Sequence, residues 1–452
     1  MNEESNIYAV SIVGKNANEL LQEITNAYSG IAQVFKSGGE WATKSGSYFT
    51  ACPLGRTGKI AFVYPLAELT STAQAEKFII TFPEIITIID EYLQLTDAVY
   101  HERYKNVLME DKQQQLPFVF EYFTSKITTA IALKYLQIIP DIACGCSLGE
   151  FAMLNAFDVI IFDTHQKDNY YLDIVIPFAS QLSDPELIKK YYKDEPIRWS
   201  NFYLRAPVDK VREMIAGNQK IFISIICSPE DLFISGNHED CVELISQLKC
   251  TSLPISNDRF THTPLAMQLY ETAMSLTEKL STDAFRIKGN NGNPIFYSAA
   301  RLAPLPLIKE EIMKNSLDCL CKQVDFVAII KKIYNEGTRI FIDMGPHDYC
   351  TGWINTTLRD VPHVAISLHK SDKPIDILAA SIMAILVSHQ VKFNISSLYQ
   401  QESITQKARP FIKKIENGID IDIPNHLEEA LYGSESCRRM AEHLRRLRGF
   451  DS

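Results

Sequence analysis

At 452 residues the chain can bury a large core shared by two or three structural units, and its 46% hydrophobic and 22% charged residues are those of an ordinary soluble globular protein. A net charge of −10 argues against wholesale nucleic-acid binding, which calls for a basic face. Ten scattered cysteines, with Cys144/Cys146 and Cys319/Cys321 one residue apart, give neither a disulfide framework nor a zinc pattern, so reduced thiols in a cytoplasm are expected.

In chain order, residues 6 to 57 read as a mixed preamble: a strand (Ile7 to Val13), a helix (Asn18 to Tyr28), then a Gly/Ser/Lys-rich stretch. The acidic start, Met1 to Ser5, has no apolar core and so no secretory signal. Leu54-Gly55-Arg56-Thr57-Gly58-Lys59 looks like a phosphate loop but lacks the hydroxyl residue after lysine and runs into a strand. That strand, Ile60 to Pro65, opens the main body. Helical patterns follow over Ala73 to Tyr104 and Phe118 to Leu136, and Leu136 to Ile142 is β-rich.

Residues 198 to 257 break away as a β-α-β-β-α-β series: strands Arg198 to Arg205, Lys220 to Cys227, Asp231 to Ser235 and Cys250 to Ile255, with helices Val208 to Ala216 and His238 to Leu248. The body then resumes to about Tyr399. Within it the apolar run Ile377 to Val387 is too short to span a bilayer and reads as a buried helix. The tail from Gln400 carries a basic amphipathic segment, Cys437 to Phe450, which either faces an acidic partner or is a solvated helix or linker.

The chemistry centres on Gly145-Cys146-Ser147-Leu148-Gly149-Glu150, between the β-rich stretch and a helical pattern over Glu150 to Phe157. A Gly-x-Ser-x-Gly run in that setting reads as a nucleophile elbow, a turn so sharp that the serine sits strained at a strand tip with its hydroxyl in a cleft. The Leu148 main-chain N–H then lies where an oxyanion would form, at the positive end of a helix. A serine nucleophile needs a base. His262 lies at a loop mouth, in Phe260-Thr261-His262-Thr263-Pro264-Leu265, before a helix whose first turn suits Pro264. Spacing alone leaves His262 open between a catalytic base and a loop histidine capping that helix.

The elbow with Glu150, the His262-Thr263-Pro264-Leu265 segment, Phe233-Ile234-Ser235-Gly236, Ile295-Phe296-Tyr297-Ser298 and Ile342-Asp343-Met344-Gly345-Pro346 form five blocks. Together, over about residues 59 to 400, they resemble the acyltransferase family of fatty-acid and polyketide synthases, of the malonyl-CoA:acyl-carrier-protein transacylase type. Gly58 to Pro65 and Trp199 to Arg205 carry a closer likeness to acyltransferases of polyunsaturated-fatty-acid synthases and related bacterial secondary-lipid synthases.

That resemblance implies an α/β fold: a large α/β-hydrolase-like unit with a parallel sheet (58–197 and 258–400) and an inserted ferredoxin-like subdomain (198–257). A linker-like segment (1–57), of the kind that joins a ketosynthase to the acyltransferase, and a tail (401–452) flank it. It implies a Ser147–His262 pair, oxyanion donors at the main-chain N–H groups of Leu148 and Ala67, and a main-chain carbonyl, that of Glu336, orienting the histidine. It further implies acyl-CoA as donor substrate and no bound cofactor or metal. Acyl carrier protein, with a ketosynthase or other synthase subunits, is the implied partner; nucleic acid and membrane are not. The same acyl-serine could instead be resolved by water, as in a thioesterase, or the chain could be a catalytically weak docking subunit.

Three departures from the family stand out. Its entry motif, Gly-Gln-Gly, is replaced by Leu66-Ala67-Glu68, which keeps a main-chain donor at Ala67 but loses both glycines. Cys146 replaces the usual histidine before the nucleophile, at a position expected to line the acyl pocket. Malonyl-selective members place an arginine about two dozen residues after the serine, gripping the free carboxylate bidentately. This chain has no arginine between Arg103 and Arg198, and Lys167, Lys189 and Lys190 cannot reproduce that planar grip. An acyl group without a free carboxylate is therefore expected. Arg205 is the nearby candidate to supply a cation, or else is a strand-end surface residue.

Overall fold

The computed structural model describes residues 7–66, 125–160, 178, 181–193, 195–255, 258–277, 294–345, 347–368 and 375–394. The expected helix over Ala73 to Tyr104, the first part of Phe118 to Leu136 and the whole tail from Gln400 lie outside them.

The N-terminal segment is a folded α/β unit. Strand β1 (Val10–Ser11), the helix Ala17–Ser37, β2 (Glu40–Ala42) and β3 (Tyr48–Thr50) build a small antiparallel sheet ordered β1-β3-β2 under one helix. Asn16 caps that helix, its side chain accepting from the Glu19 N–H at 3.0 Å. The helix runs past the expected Tyr28 because Gly30 serves packing there and does not stop it: a Cβ would sit 2.1 Å from the Trp41 ring. The unit is tied to the body, where Thr50 N–H donates to Ser388 Oγ at 2.9 Å and the Tyr48 hydroxyl lies 3.2 Å from His389 Nε2.

The body begins with β4 (Lys59–Tyr64) and β5 (Ile142–Gly145). β5 starts later than the β-rich stretch from Leu136, because Pro140 has no N–H to give a ladder. After it come β6 (Trp199–Arg205), β7 (Ile221–Ser228), β8 (Asp231–Asn237) and β9 (Thr251–Ile255). Next are β10 (Ile295–Ser298), β11 (Ala303–Pro304), β12 (Val324–Asp325), β13 (Thr338–Asp343) and β14 (Val364–Ser367). The central sheet is ordered β11-β10-β5-β4-β13-β14 and is parallel throughout except at β10–β11.

Both faces of this sheet are covered. Ile60, Phe62 and Tyr64 point into one core and Ala61 and Val63 into the other, so the strand reads as a continuous apolar run. The helix Ile375–Ser388 contains the apolar run expected to be buried. Among the described residues, no helix is long and apolar enough to cross a membrane.

The β-α-β-β-α-β series over 198–257 is present, with helices Val208–Met214 and His238–Leu248. Its sheet has a fifth member, in the order β12-β7-β8-β6-β9. β12, from the returning body chain, pairs parallel with β7, Val324 opposite Ile225. One face of the sheet packs Leu204, Val211, Leu232, Ile234 and Leu244 under the two helices, while Ile225 and Cys227 reach the core of the large unit. The two units are thus joined by a strand and a shared core.

Candidate active site

Ser147 stands at the tip of β5, ahead of the helix Leu148–Ala156, with φ 55° and ψ −122°. A positive φ is rare for a residue with a side chain and marks stored strain. The flanking glycines allow it by close approach. A Cβ on Gly149 would lie 2.3 Å from the carbonyl oxygens of Tyr64 and Pro65, and one on Gly145 would lie 2.3 Å from Glu150 N. The elbow is therefore clamped onto the end of β4.

Glu150 fastens it from the other side. Wholly buried, its carboxylate accepts from Ala299 N–H at 2.7 Å, Ala300 N–H at 3.3 Å and Asn315 Nδ2 at 2.7 Å. Burial pushes this carboxyl up, and those hydrogen bonds oppose the shift. The blocks Ile295 to Ser298 and, as far as Gly345, the one from Ile342 have similar scaffolding roles. β10 flanks β5, and Asp343 accepts from Gly345 N–H at 3.1 Å and Thr351 N–H at 3.2 Å.

His262 meets the serine, its Nε2 lying 2.8 Å from Ser147 Oγ, with both residues buried. It too has a positive φ, 61°. Its main-chain N–H donates to Leu320 O at 3.0 Å, and its Nδ1 lies 2.9 Å from Lys322 O. A carbonyl can only accept, so Nδ1 carries the proton and Nε2 is left to accept from the serine. Burial lowers the His262 pKa from 6.5 to about 4, against the raising effect of the Lys322 carbonyl, so the ring is a neutral base at pH 7. Both carbonyls come from the C-terminal end of the helix Lys309–Cys321, where the helix dipole favours a transient imidazolium.

The orienting carbonyl thus belongs to Lys322 and not to Glu336. Glu336 lies past the helix Phe326–Asn335, before the start of β13, and its side chain accepts from the Tyr297 hydroxyl. That is the end of the sheet away from the β5 tip. A helix terminus presents unpaired carbonyls, but Lys322 and Glu336 both follow a helix, so the sequence pattern does not choose between them.

A cavity of about 760 Å³ opens beside His262. Ile221, Phe222, Ile223 and Met267 give it apolar wall, and Arg212 and Lys322 supply two cations. Sequence reasoning missed both. Arg205 is not among the lining residues. It is exposed at the end of β6 that pairs with Asp231, whereas the cavity takes Ile221 to Ile223 from the opposite end of the small sheet. It is a strand-end surface arginine.

Cys146, expected to line the acyl pocket, is instead wholly buried in an apolar cluster with Cys144, Cys227 and Cys350. Burial pushes its thiol far above the usual range. Leu148 opens the elbow helix, so its N–H has no intrahelical acceptor, while Gly149 and Glu150 already donate to Cys146 O and Ser147 O. Ala67 lies outside the described residues, as do Lys167 and the region two dozen residues after the serine; Lys189 and Lys190 are exposed on the helix Pro185–Tyr191. Among the described residues, no cluster of His, Cys, Asp and Glu could hold a metal ion.

No protein-family model matches the chain. It is 23% identical over 433 residues to a polyunsaturated fatty acid synthase polypeptide of a Thraustochytrium species, covering 88% of this chain and 20% of that much longer protein. It is 25% identical over 328 residues to malonyl CoA-acyl carrier protein transacylase of Bacillus subtilis, covering 68% of this chain and 93% of that one. The fold is shared with the acyltransferase domain from the second module of the salinomycin polyketide synthase, at a TM-score of 0.59 and 16% identity, with 89% and 88% of the two chains covered. A strained serine on an α/β sheet, paired with a buried neutral histidine, has the two groups that chemistry through a serine ester needs. In sequence and in fold the chain thus resembles acyltransferases of the malonyl-CoA:acyl-carrier-protein transacylase type.

Proposed function

We propose that this protein moves an acyl group from acyl-CoA or another acyl thioester, through an ester on Ser147, to the phosphopantetheine thiol of an acyl carrier protein in a fatty-acid or polyketide-type synthase. The observation that carries the reading is the Ser147–His262 pair at 2.8 Å with the histidine tautomer fixed by Lys322 O at 2.9 Å. Ser147 Oγ attacks the thioester carbonyl as its proton passes to Nε2. The tetrahedral oxyanion is met by the main-chain N–H of Leu148 and by that of Ala67. Donors of this kind are each worth roughly a hundred- to a thousandfold in rate. Collapse expels the thiol, which recovers the proton from His262. The carrier thiol then repeats the sequence in reverse, with His262 taking its proton.

The cavity beside His262 suits the arm common to donor and acceptor. Its apolar wall fits a pantetheine chain, and Arg212 is placed for phosphate. On the strand orders above, the body is read as an α/β-hydrolase-like unit carrying an inserted ferredoxin-like one. The names of the two sequence relatives support a carrier protein as acceptor and a larger synthase as setting, in which a ketosynthase is the proposed neighbour.

The acyl group is proposed to lack a free carboxylate. The support is the absence of arginine from 104 to 197, together with Arg205 lying exposed at the far end of its strand. An unpaired carboxylate in a partly buried pocket would cost several kcal/mol, on the order of the penalty for any buried charge without a partner.

The test is competition. The protein is incubated with a phosphopantetheinylated carrier protein and equimolar malonyl-CoA and acetyl- or longer acyl-CoA, and the carrier is weighed by mass spectrometry. Carrier loaded mainly with the neutral acyl group is the expected result. Free acid in place of loaded carrier would replace transfer with hydrolysis, and a malonyl preference would overturn the acyl selectivity.

A further inference from the structure

The carbonyl that orients His262 lies just beyond a helix, where no helical hydrogen bond fixes it. Lys322 has extended geometry, φ −84° and ψ 149°. Asp318, one turn earlier, grips it at both ends. The Asp318 main-chain O accepts from Lys322 N–H at 2.9 Å, and its carboxylate Oδ1 lies 2.9 Å from Lys322 Nζ. The carboxylate is itself wholly buried. Arg301 Nε donates to its Oδ2 at 2.8 Å and the Tyr270 hydroxyl to its Oδ1 at 3.0 Å. Arg301 also holds Glu311 at 2.6 Å. A buried carboxylate is tolerated only with partners of this kind, and here it has two cations and a hydroxyl.

This cluster is continuous with the nucleophile's own support. Arg301 directly follows Ala299 and Ala300, whose N–H groups hold Glu150 of the elbow helix. A single polar path therefore runs from Glu150 through residues 299–301 to Asp318, Lys322 O, His262 and back to Ser147. We infer that Asp318 is a positioning residue for the reaction: by clamping Lys322 it sets the carbonyl that fixes the His262 ring and its tautomer. The inference rests on the acyl-transfer reading above. Its effect passes through Lys322. The group that touches the His262 ring is the Lys322 carbonyl, 2.9 Å from Nδ1.

The experiment is a double-mutant cycle on Ser147 acylation by acyl-CoA, followed by intact-mass spectrometry in single turnovers. Asp318→Asn and Lys322→Met should each slow acylation at saturating donor by about ten- to a hundredfold, the loss typical of a slightly misplaced group. The half-saturating donor concentration should not change. The double variant should be no slower than the slower single one, because both remove the same clamp. Glu311→Gln, which removes only the outer leg of the Arg301 pair, should retain the wild-type rate.

Wild-type rates in a folded Asp318→Asn, or losses that add in the double variant, would overturn the proposal. So would a Lys322→Met defect confined to half-saturation, which would mean that the lysine only touches the donor. If Asp318→Asn does not fold, Lys322→Met decides alone, since its side chain is 43% exposed. A wild type that takes up no acyl group sinks the acyl-transfer reading instead. The clamp is then judged by the His262 tautomer from imidazole ¹⁵N chemical shifts, and an undisturbed Nδ1–H form in both variants overturns it.

Discussion

The two halves of the site are held in different ways. Ser147 is placed by its own neighbours: two glycines that let the elbow press on β4, and a helix that starts at the next residue. His262 is placed from afar. Its ring hangs on a carbonyl 60 residues later in the chain, and that carbonyl is steadied by Asp318 and by Gln323, whose Nε2 donates to Ile223 O at 2.6 Å in the small sheet. Local geometry makes the nucleophile, and tertiary structure makes the base. Damage to the first half should act at one point, while damage to the second should enter from several.

The largest expected effect is at the nucleophile. Ser147→Ala should abolish every acyl-enzyme adduct while circular dichroism and melting stay as in wild type, because the hydroxyl supplies chemistry and little packing. An adduct that persists would remove Ser147 from the centre. Next, His262→Ala should slow acylation by roughly a hundred- to ten-thousandfold, the usual worth of a general base. A loss of only a few-fold would mean that the serine finds its base elsewhere.

Gly149→Ala attacks the local half without touching either reacting group. Its Cβ would meet two carbonyl oxygens at 2.3 Å, so a loss of about 1–3 kcal/mol in stability is expected from overpacking. Chemical denaturation measures it, and an unchanged midpoint would show that the elbow is not clamped on β4.

The pH profile reports on the remote half. His262 must be neutral to accept a proton, and its pKa is lowered from 6.5 to about 4. The acylation rate should therefore hold steady from neutral pH down to about 5 and fall only below that. The same depression means that the unfolded chain binds this proton more tightly. The contribution of His262 to stability is complete above pH 6.5 and is lost as pH falls through about 4. A rate that halves near 6.5 would mean a solvent-exposed ring. The smallest effect is at Arg205: its replacement by alanine should leave the order of acyl-CoA preference unchanged, since it lies exposed at the far end of β6.

The same division explains what is legible in the chain. The elbow, the β-α-β-β-α-β series and the buried helix at Ile375–Ser388 follow from local pattern, and they form close to the expected bounds. His262 stands out because Pro264 marks a helix start beside it. Its carbonyl partner is expected at Glu336 and is Lys322, because nothing within either segment records which helix end packs on the ring. The fifth strand of the small sheet is hidden for the same reason: β12 is two residues long and exists only by pairing with β7. Cys146 is expected at the pocket from the family's use of that position, but just past the end of β5 it turns into the apolar cluster that holds Cys144. Arg212 gives no signal because an exposed helix arginine near Asp209 carries no local sign of a cavity.

In the proposed reaction one serine carries the acyl group and one histidine, oriented by a helix end, moves the proton. The most direct measurement is peptide mapping of the wild-type protein after brief incubation with a panel of acyl-CoAs. A single acyl ester on the peptide containing Ser147, absent when His262 is replaced, is the expected result. Acylation of Cys146 or another cysteine, or no adduct with any donor, would contradict it.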